Sequence, residues 1–303
     1  MNAEYLRDPI IARYRTYLLL ERSYSNNTEV SYIEDLSKFL NYLADAKIGY
    51  LDVTLDVLRD FLIELNDLGI SQRSTARIIS GIRSFYKFLL MENLLNDDPT
   101  ELLESPKLAR KLPDVLSLQE INEIIDGIDV SDCLGQRNRA ILETLYSCGL
   151  RVSELVDLRI SKTYPSEQYL VVIGKGNKQR IVPMSPKCIK EIQLWTEYRS
   201  NMKIQKGSED HVFINRRGAK MTRNMVFYIV KDAVEKAGIE KTVSPHTFRH
   251  SFATHLLEGG ANLRAIQEML GHESILTTEI YTHIDTQRMR EEILMCHPRN
   301  IKK

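Results

Sequence analysis

Through the first hundred residues, apolar side chains recur every three or four positions, the spacing that turns one face of a helix toward a core. Ile10, Ile11, Tyr14, Tyr17, Leu18 and Leu19 predict a first helix. Asn26, Asn27 and Thr28 offer N-caps to a second, with Val30, Ile33, Leu36, Phe39, Leu40 and Leu43 as its apolar face. Thr54 caps a third helix through Leu65, closed by Asp67, Leu68 and Gly69. Ser71 opens a fourth that runs to about Glu92. From residue 99 the periodicity breaks at Pro99, Pro106 and Pro113, and Lys107, Arg110 and Lys111 make the stretch basic. That is the pattern of a linker over 99–114, between a helical domain at 1–98 and a second domain at 115–303.

The second half mixes periods. Ser117 with Glu120 is a capping-box start for a helix to about Ile128, and further helices are predicted near 135–146, from Arg151, and near 186–203, 222–237, 245–258, 262–270 and 285–294. Tyr169–Ile173 and Arg180–Pro183 are short β-branched runs around Gly174, Lys175, Gly176, Asn177 and Lys178, a β-hairpin pattern. The expected fold class is therefore mainly α with a small β-sheet, in two domains.

Composition narrows the function classes. With 43% hydrophobic and 27% charged residues, 14 Gly and 9 Pro, the 303-residue chain is neither disordered nor collagen-like. The absence of an apolar run of about 18 residues excludes a membrane-spanning helix, and the polar start Met1–Asp8 leads us to expect a cytoplasmic protein without a membrane partner. Cys133, Cys148, Cys188 and Cys296 form no CxxC pair and read as reduced thiols. Net charge is zero, yet residues 137–223 hold 17 Lys and Arg against 8 Asp and Glu, a local basic surface of the sort phosphates require. On the fourth helix, Arg73, Arg77, Ser80, Ser84 and Lys87 form a second row beside the apolar stripe Ile78, Ile82, Phe85 and Leu89. Such a row suits DNA phosphates, and it equally suits an ordinary solvent face.

Phosphate-binding and proton-transfer groups recur in separate stretches. Arg151 starts a helix after a Gly149 turn, with Glu154 one turn on to orient its guanidinium; Lys175 tops the hairpin between two glycines. His246 and Arg249 are three apart at a helix start and share a face, His272 follows Leu270–Gly271, and Tyr281 follows Thr277–Ile280. His246 and His250 have the spacing of a zinc pair, but Thr247 stands where a metalloprotease has Glu and no third acidic ligand is evident, so no metal is expected.

Together these stretches resemble the tyrosine site-specific recombinases, the lambda integrase-like family, and within it the Xer type. The resemblance rests on "LYSCGLRVSELVDL", "VIGKGNKQRIVPM", "SPHTFRHSFATHLLEGGANLRAIQEMLGHESILTTEIYTHI", the N-terminal "YLLLERSYSNNTEVSYIEDLSKFLNYL" and the closing "CHPRN". It implies a two-domain DNA clamp, with a SAM-like core-binding domain and a mixed α/β catalytic domain. It places the catalytic set at Arg151, Lys175, His246, Arg249, His272 and Tyr281, with Glu154 as acidic helper. It implies cleavage and rejoining of double-stranded DNA through a 3′-phosphotyrosyl link that needs neither ATP nor a metal cofactor. It further implies a homo- or heterotetramer on DNA, with a paralogous recombinase and a septal translocase as partners in chromosome dimer resolution. The tail, with Ile284, Met289, Ile293, Leu294 and Met295, is expected to dock on a neighbouring subunit, against the alternative of packing on its own domain. The segment Ser161–Gln168, "SKTYPSEQ", departs from the common pattern. The integrase or invertase of a mobile element, a type IB topoisomerase and a non-catalytic DNA-binding protein share parts of this architecture.

Overall fold

The computed structural model describes residues 8–22, 24–106, 114–174, 178–271 and 291–300. The chain divides into two compact units, Met1–Lys111 and Leu112–Lys303. The described residues are mainly helical with one three-stranded sheet, as the sequence pattern predicts.

The first unit holds α1 (Pro9–Thr16), a single π-helical turn (Tyr17–Glu21), α2 (Asn26–Asp45), α3 (Leu55–Asp67) and α4 (Gln72–Met91). Thr54 and Ser71 cap α3 and α4 as predicted, each accepting from a backbone N–H three residues on. α2 differs: its N-cap is Ser25, whose side chain accepts from the Thr28 amide, and Asn26 to Thr28 already lie in the helix. The first helix also departs from its simple 3.6 period. Its last turn widens to π geometry at Tyr17–Glu21; Leu18 in that turn is buried and Leu20 exposed. Aromatic rings dominate this core. Tyr14, Phe39, Phe85, Tyr86 and Phe88 are almost wholly buried, and edge-to-face contacts join Phe85 to Tyr14, Tyr50 and Tyr86. Truncating one such ring would cost about 3–5 kcal/mol.

The second unit is built around α6 (Cys133–Cys148), which follows α5 (Leu118–Asp126). The predicted Ser117–Glu120 capping box closes both ways, Glu120 N to Ser117 Oγ and Ser117 N to Glu120 Oε2. α6 is buried on nearly every side, so its polar residues must be satisfied inside. Gln136 Nε2 donates to Glu191 Oε2 at 2.7 Å, Thr144 Oγ1 to the Ala140 carbonyl, and Ser147 Oγ to Glu143 Oε1 at 2.6 Å. Cys148 and Cys188, far apart in sequence, meet in this core as free thiols with sulfurs 3.8 Å apart.

After α7 (Val152–Val156) come β1 (Thr163–Tyr164), β2 (Tyr169–Ile173) and β3 (Gln179–Pro183), antiparallel in the order β1-β2-β3. The β2–β3 hairpin was legible in the sequence. β1 was not, because two residues carry no readable alternation; it occupies the segment where the family pattern fails. Leu170 and Val172 of β2 face inward, and so do Val182 and, less expectedly, Arg180 of β3, which pairs across from Val172. Then follow α8 (Pro186–Ser200), α9 (Arg223–Lys236), α10 (Pro245–Glu258) and α11 (Leu263–Leu270).

Residues 291–296 are helical and 291–300 pack on this same unit. His297 is fully buried between the rings of Tyr146 and Phe252. Arg299 stacks over Tyr146 and donates to Glu143 Oε1 at 3.0 Å. Ile293 and Cys296 are buried, while Leu294 and Met295 are exposed. Ile284 and Met289 lie outside the described residues. Among the described residues, no helix is long and apolar enough to cross a membrane.

Candidate functional site

The site assembles at the C-terminal end of α6. Gly149 ends that helix in the left-handed conformation (φ +56°), and a β-carbon there would sit 2.4 Å from the buried ring of Phe252. Glycine is therefore required both by the turn and by the close approach. The turn delivers Arg151 to the N-cap of α7. Its backbone N–H donates to Glu154 Oε2 at 2.8 Å and its Nη1 to Glu154 Oε1 at 2.9 Å. The predicted Arg151–Glu154 pairing is thus present, but Glu154 is buried and serves more than Arg151.

Arg180 reaches the same carboxylate from β3. Its Nη1 and Nη2 donate to the two Glu154 oxygens at 2.7 and 2.9 Å, a bidentate fork. Arg249, at the start of the second turn of α10, brings Nη1 to 3.9 Å from Glu154 Oε2. Burial alone would raise the Glu154 pKa. The hydrogen bonds and charge of Arg180, helped by Arg151, overcome it and hold the carboxyl below its ordinary range. Burial, with Arg151 close by, pulls the Arg249 guanidinium down to about 10, so it stays charged at neutral pH.

The three arginines share a second target. α11 ends in Met269, Leu270 and the left-handed Gly271, exposing carbonyls that the helix itself cannot satisfy. Arg180 Nε donates to the Met269 carbonyl at 2.7 Å, Arg249 Nη2 to Leu270, and Arg151 Nη2 to Gly271 at 3.0 Å. Arg249 Nη1 also donates to the Gly149 carbonyl at 2.6 Å. Three guanidiniums thus hold three successive carbonyls at the negative end of a helix, directly before His272 in sequence.

His246 and Arg249, read as one face of α10, differ in setting: His246 is exposed, whereas Arg249 is 8% exposed. Thr247, which broke the metalloprotease pattern, has a capping role, since its Oγ1 accepts from the Ser244 N–H at 3.1 Å. Among the described residues, no three metal-ligating side chains cluster. Lys175, His272 and Tyr281 lie outside the described residues. The hairpin is described up to Gly174, whose N–H donates to the Lys178 carbonyl at 2.7 Å. A β-carbon on Gly174 would lie 3.7 Å from Arg180 Nη1 and 3.9 Å from Glu154 Oε1, so the stem abuts the arginine cluster.

Sequence reasoning missed Arg180. The available signal was an arginine at a core-facing position of a strand, alternating with Val182.

On the first unit, Arg73, Arg77, Ser80 and Lys87 are exposed on α4 and Ser84 is half-buried. Ser80, Ser84 and Lys87 line a pocket of about 240 Å³ together with Arg22, Arg83 and the rings of Tyr17, Tyr24 and Tyr32. Arg22 lies over the Tyr24 ring at 5.6 Å. Arg77 is drawn the other way, its Nη1 2.7 Å from Oδ2 of the fully buried Asp35.

Comparison with known proteins gives concordant matches. Residues 114–288 match the phage integrase family, and residues 11–93 match the phage integrase N-terminal SAM-like domain. The tyrosine recombinase XerD of Staphylococcus epidermidis is 41% identical over 96% of this chain and 99% of that protein. Among solved structures, the XerH site-specific recombinase bound to a palindromic difH substrate matches with a TM-score of 0.69 at 23% identity, covering 94% of this chain and 84% of that one. A lambda integrase tetramer bound to a Holliday junction matches equally well, with a TM-score of 0.69 at 17% identity over 90% of this chain and 79% of that one.

Proposed function

Since the chain belongs to the phage integrase family and is a Xer-type tyrosine recombinase, we propose that Tyr281 is the nucleophile of its site-specific recombination. Enzymes of this family cleave and rejoin DNA through a tyrosine. Here Tyr281 Oη attacks the scissile phosphorus in line, the bond to the 5′ oxygen breaks, and a 3′-phosphotyrosyl link forms. Attack piles charge on the non-bridging oxygens, where Arg151 and Arg249 present planar forks of donors and His272 adds another. A free phenol titrates near 10, so its proton must be accepted as the bond forms; exposed His246 is the base. Lys175 donates a proton to the departing 5′ oxygen. The link conserves the energy of the phosphodiester, so a 5′-hydroxyl from a partner duplex reseals it.

The observation that carries this reading is the convergence of Arg151 and Arg249, 98 positions apart, on one carboxylate and on neighbouring carbonyls. A helix-surface ion pair would need neither the burial nor the third cation. Residues 1–98 act as the core-binding domain, with Arg73, Arg77, Ser80, Ser84 and Lys87 on the DNA side, residues 99–114 as the linker and residues 115–303 as the catalytic domain. Exchange between two duplexes needs four such sites, hence a tetramer on DNA, of this chain or with a paralogue. The XerD-like match over nearly the whole chain favours chromosome dimer resolution in the cytoplasm, coordinated by a DNA translocase at the septum, over a mobile-element role.

Tyr281→Phe should abolish covalent adducts with nicked DNA while leaving duplex binding intact; adducts that persist in this variant would overturn the assignment. Mapping wild-type adducts across the genome then reports the target, a single chromosomal locus supporting dimer resolution and many mobile loci opposing it.

A further inference from the structure

Arg180 belongs to no role assigned so far, yet among the described residues its side chain makes more hydrogen bonds than that of any other arginine of the site. It is 5% exposed and sits on the inward face of a strand that otherwise buries aliphatic residues. An arginine placed there carries a desolvation cost that a valine would not, so its retention calls for an accounting of its donors. Two go to the Glu154 carboxylate and one to the Met269 carbonyl. Its guanidinium also underlies two glycines. A β-carbon on Gly271 would lie 3.2 Å from Arg180 Nη1, and one on Gly174 would lie 3.7 Å from the same atom. Gly271 directly precedes His272, and Gly174 directly precedes Lys175.

We propose that Arg180 is a positioning residue of the recombinase: by saturating Glu154 from below and holding the Met269 carbonyl, it leaves Arg151 and Arg249 with donors free for the scissile phosphate. This rests on the reading that Arg151 and Arg249 hold that phosphate. The three arginines compete for one carboxylate. Beside Arg151, which already bonds the carboxylate at 2.9 Å, a Glu154 with no fork of its own would draw in a second guanidinium, and Arg249 Nη1 stands 3.9 Å away. With Arg180 in place, both Glu154 oxygens have short, directed donors, and Arg151 spends only Nη1 and its backbone N–H on them. Without it, Glu154 would capture Arg249, and the Met269 carbonyl would lose its donor at the helix end that leads to His272. Lysine cannot substitute fully, since one ammonium cannot reproduce a planar fork to the carboxylate together with a third bond to the carbonyl.

The test uses the full chain and a nicked duplex carrying the sequence recovered from wild-type adduct mapping. It is made twice, with phosphate and with methylphosphonate at the scissile position. Methylphosphonate lacks the anionic oxygen and so has less need of cations. On phosphate, Arg180→Met should slow single-turnover cleavage about 100-fold, the scale of a misplaced catalytic group, with duplex affinity unchanged. On methylphosphonate, both Arg180→Met and Arg151→Ala should recover most of the wild-type rate. Arg180→Lys should fall between the wild type and Arg180→Met on phosphate, and it carries the test if Arg180→Met fails to fold. Recovery by Arg151→Ala without recovery by the folded Arg180 variant would overturn the proposal and leave the phosphate reading standing. A wild-type rate for the Arg180 variants on phosphate would do the same. A wild-type rate for Arg151→Ala on phosphate would overturn both.

Discussion

Each unit buries a carboxylate beneath an arginine, Asp35 in the first and Glu154 in the second, and these two titrate in opposite directions. Asp35 of α2 is fully buried; Lys38 Nζ donates to its Oδ1 at 3.2 Å, and Arg77 Nη1 approaches Oδ2 at 2.7 Å without hydrogen-bond alignment. Burial therefore wins, and the Asp35 pKa rises despite Arg77 and Lys38. Glu154 faces the same burial with four directed bonds, two from Arg180 and two from Arg151, and its pKa falls. The comparison teaches that proximity of a cation does not by itself lower the pKa of a buried acid. The number and alignment of donors do. It also separates two uses of arginine. Arg77, with a side chain 46% exposed, keeps nearly half of its contact with water and can turn outward, whereas Arg180, 6% exposed, is committed to the interior.

The largest effect should come from breaking the better-satisfied site. Glu154→Gln keeps the volume but leaves Arg180 and Arg249 without their charge partner in the interior. Removing one member of a buried ion pair costs about 3–5 kcal/mol. The urea midpoint of Glu154→Gln should accordingly fall far more than that of Asp35→Asn, whose half-exposed partners can return to water and whose change should stay within about 1 kcal/mol. Equal losses would mean that the two carboxylates do the same work.

The opposite shifts sharpen the comparison through pH. Glu154 has a lowered pKa in the folded state, so the stability it contributes is present above the ordinary glutamate value and is lost as pH falls through the folded one. Asp35 has a raised pKa, so its contribution is present below the ordinary aspartate value and is lost as pH rises through the folded one. Between pH 7 and acid, Asp35→Asn should therefore make the chain relatively less stable toward acid than the wild type. Glu154→Gln should flatten the acid loss instead. Urea midpoints measured across that range read both signs, and parallel curves for the two variants would contradict the assignment.

What the sequence revealed divides along the same line. Devices confined to a few residues were legible: the Ser117–Glu120 box, the Thr54 and Ser71 caps, the Gly149 turn before Arg151. The pairing of Arg151 with Glu154 was also visible, because three residues separate them. Arg180 was not, since its partners lie 26 and 89 positions away and only the β3 register turns it inward. The two-residue β1 and the π turn at Tyr17–Glu21 left no period to read. The docking of the tail through His297 and Arg299 depends on α6 supplying Tyr146 and Glu143, which no local pattern could announce.

The smallest effect tests whether Arg77 serves DNA as well as Asp35. If it contacts a backbone phosphate, Arg77→Ala should lower the slope of log affinity against log salt by about one on a duplex of arbitrary sequence. Asp35→Asn should move the other way. Removing a negative charge behind Arg77 and Lys38 strengthens the local positive field, so binding should tighten a few-fold at low salt and converge with the wild type as salt screens it. The pair of variants distinguishes two arrangements that a single substitution would confuse. Opposite changes place Arg77 between a buried anion and the DNA, with Asp35 limiting how strongly it binds. An unchanged slope in Arg77→Ala would assign this arginine to the packing of α4 on α2 alone, and the DNA-facing row would then depend on the cations and hydroxyls around Ser80, Ser84 and Lys87.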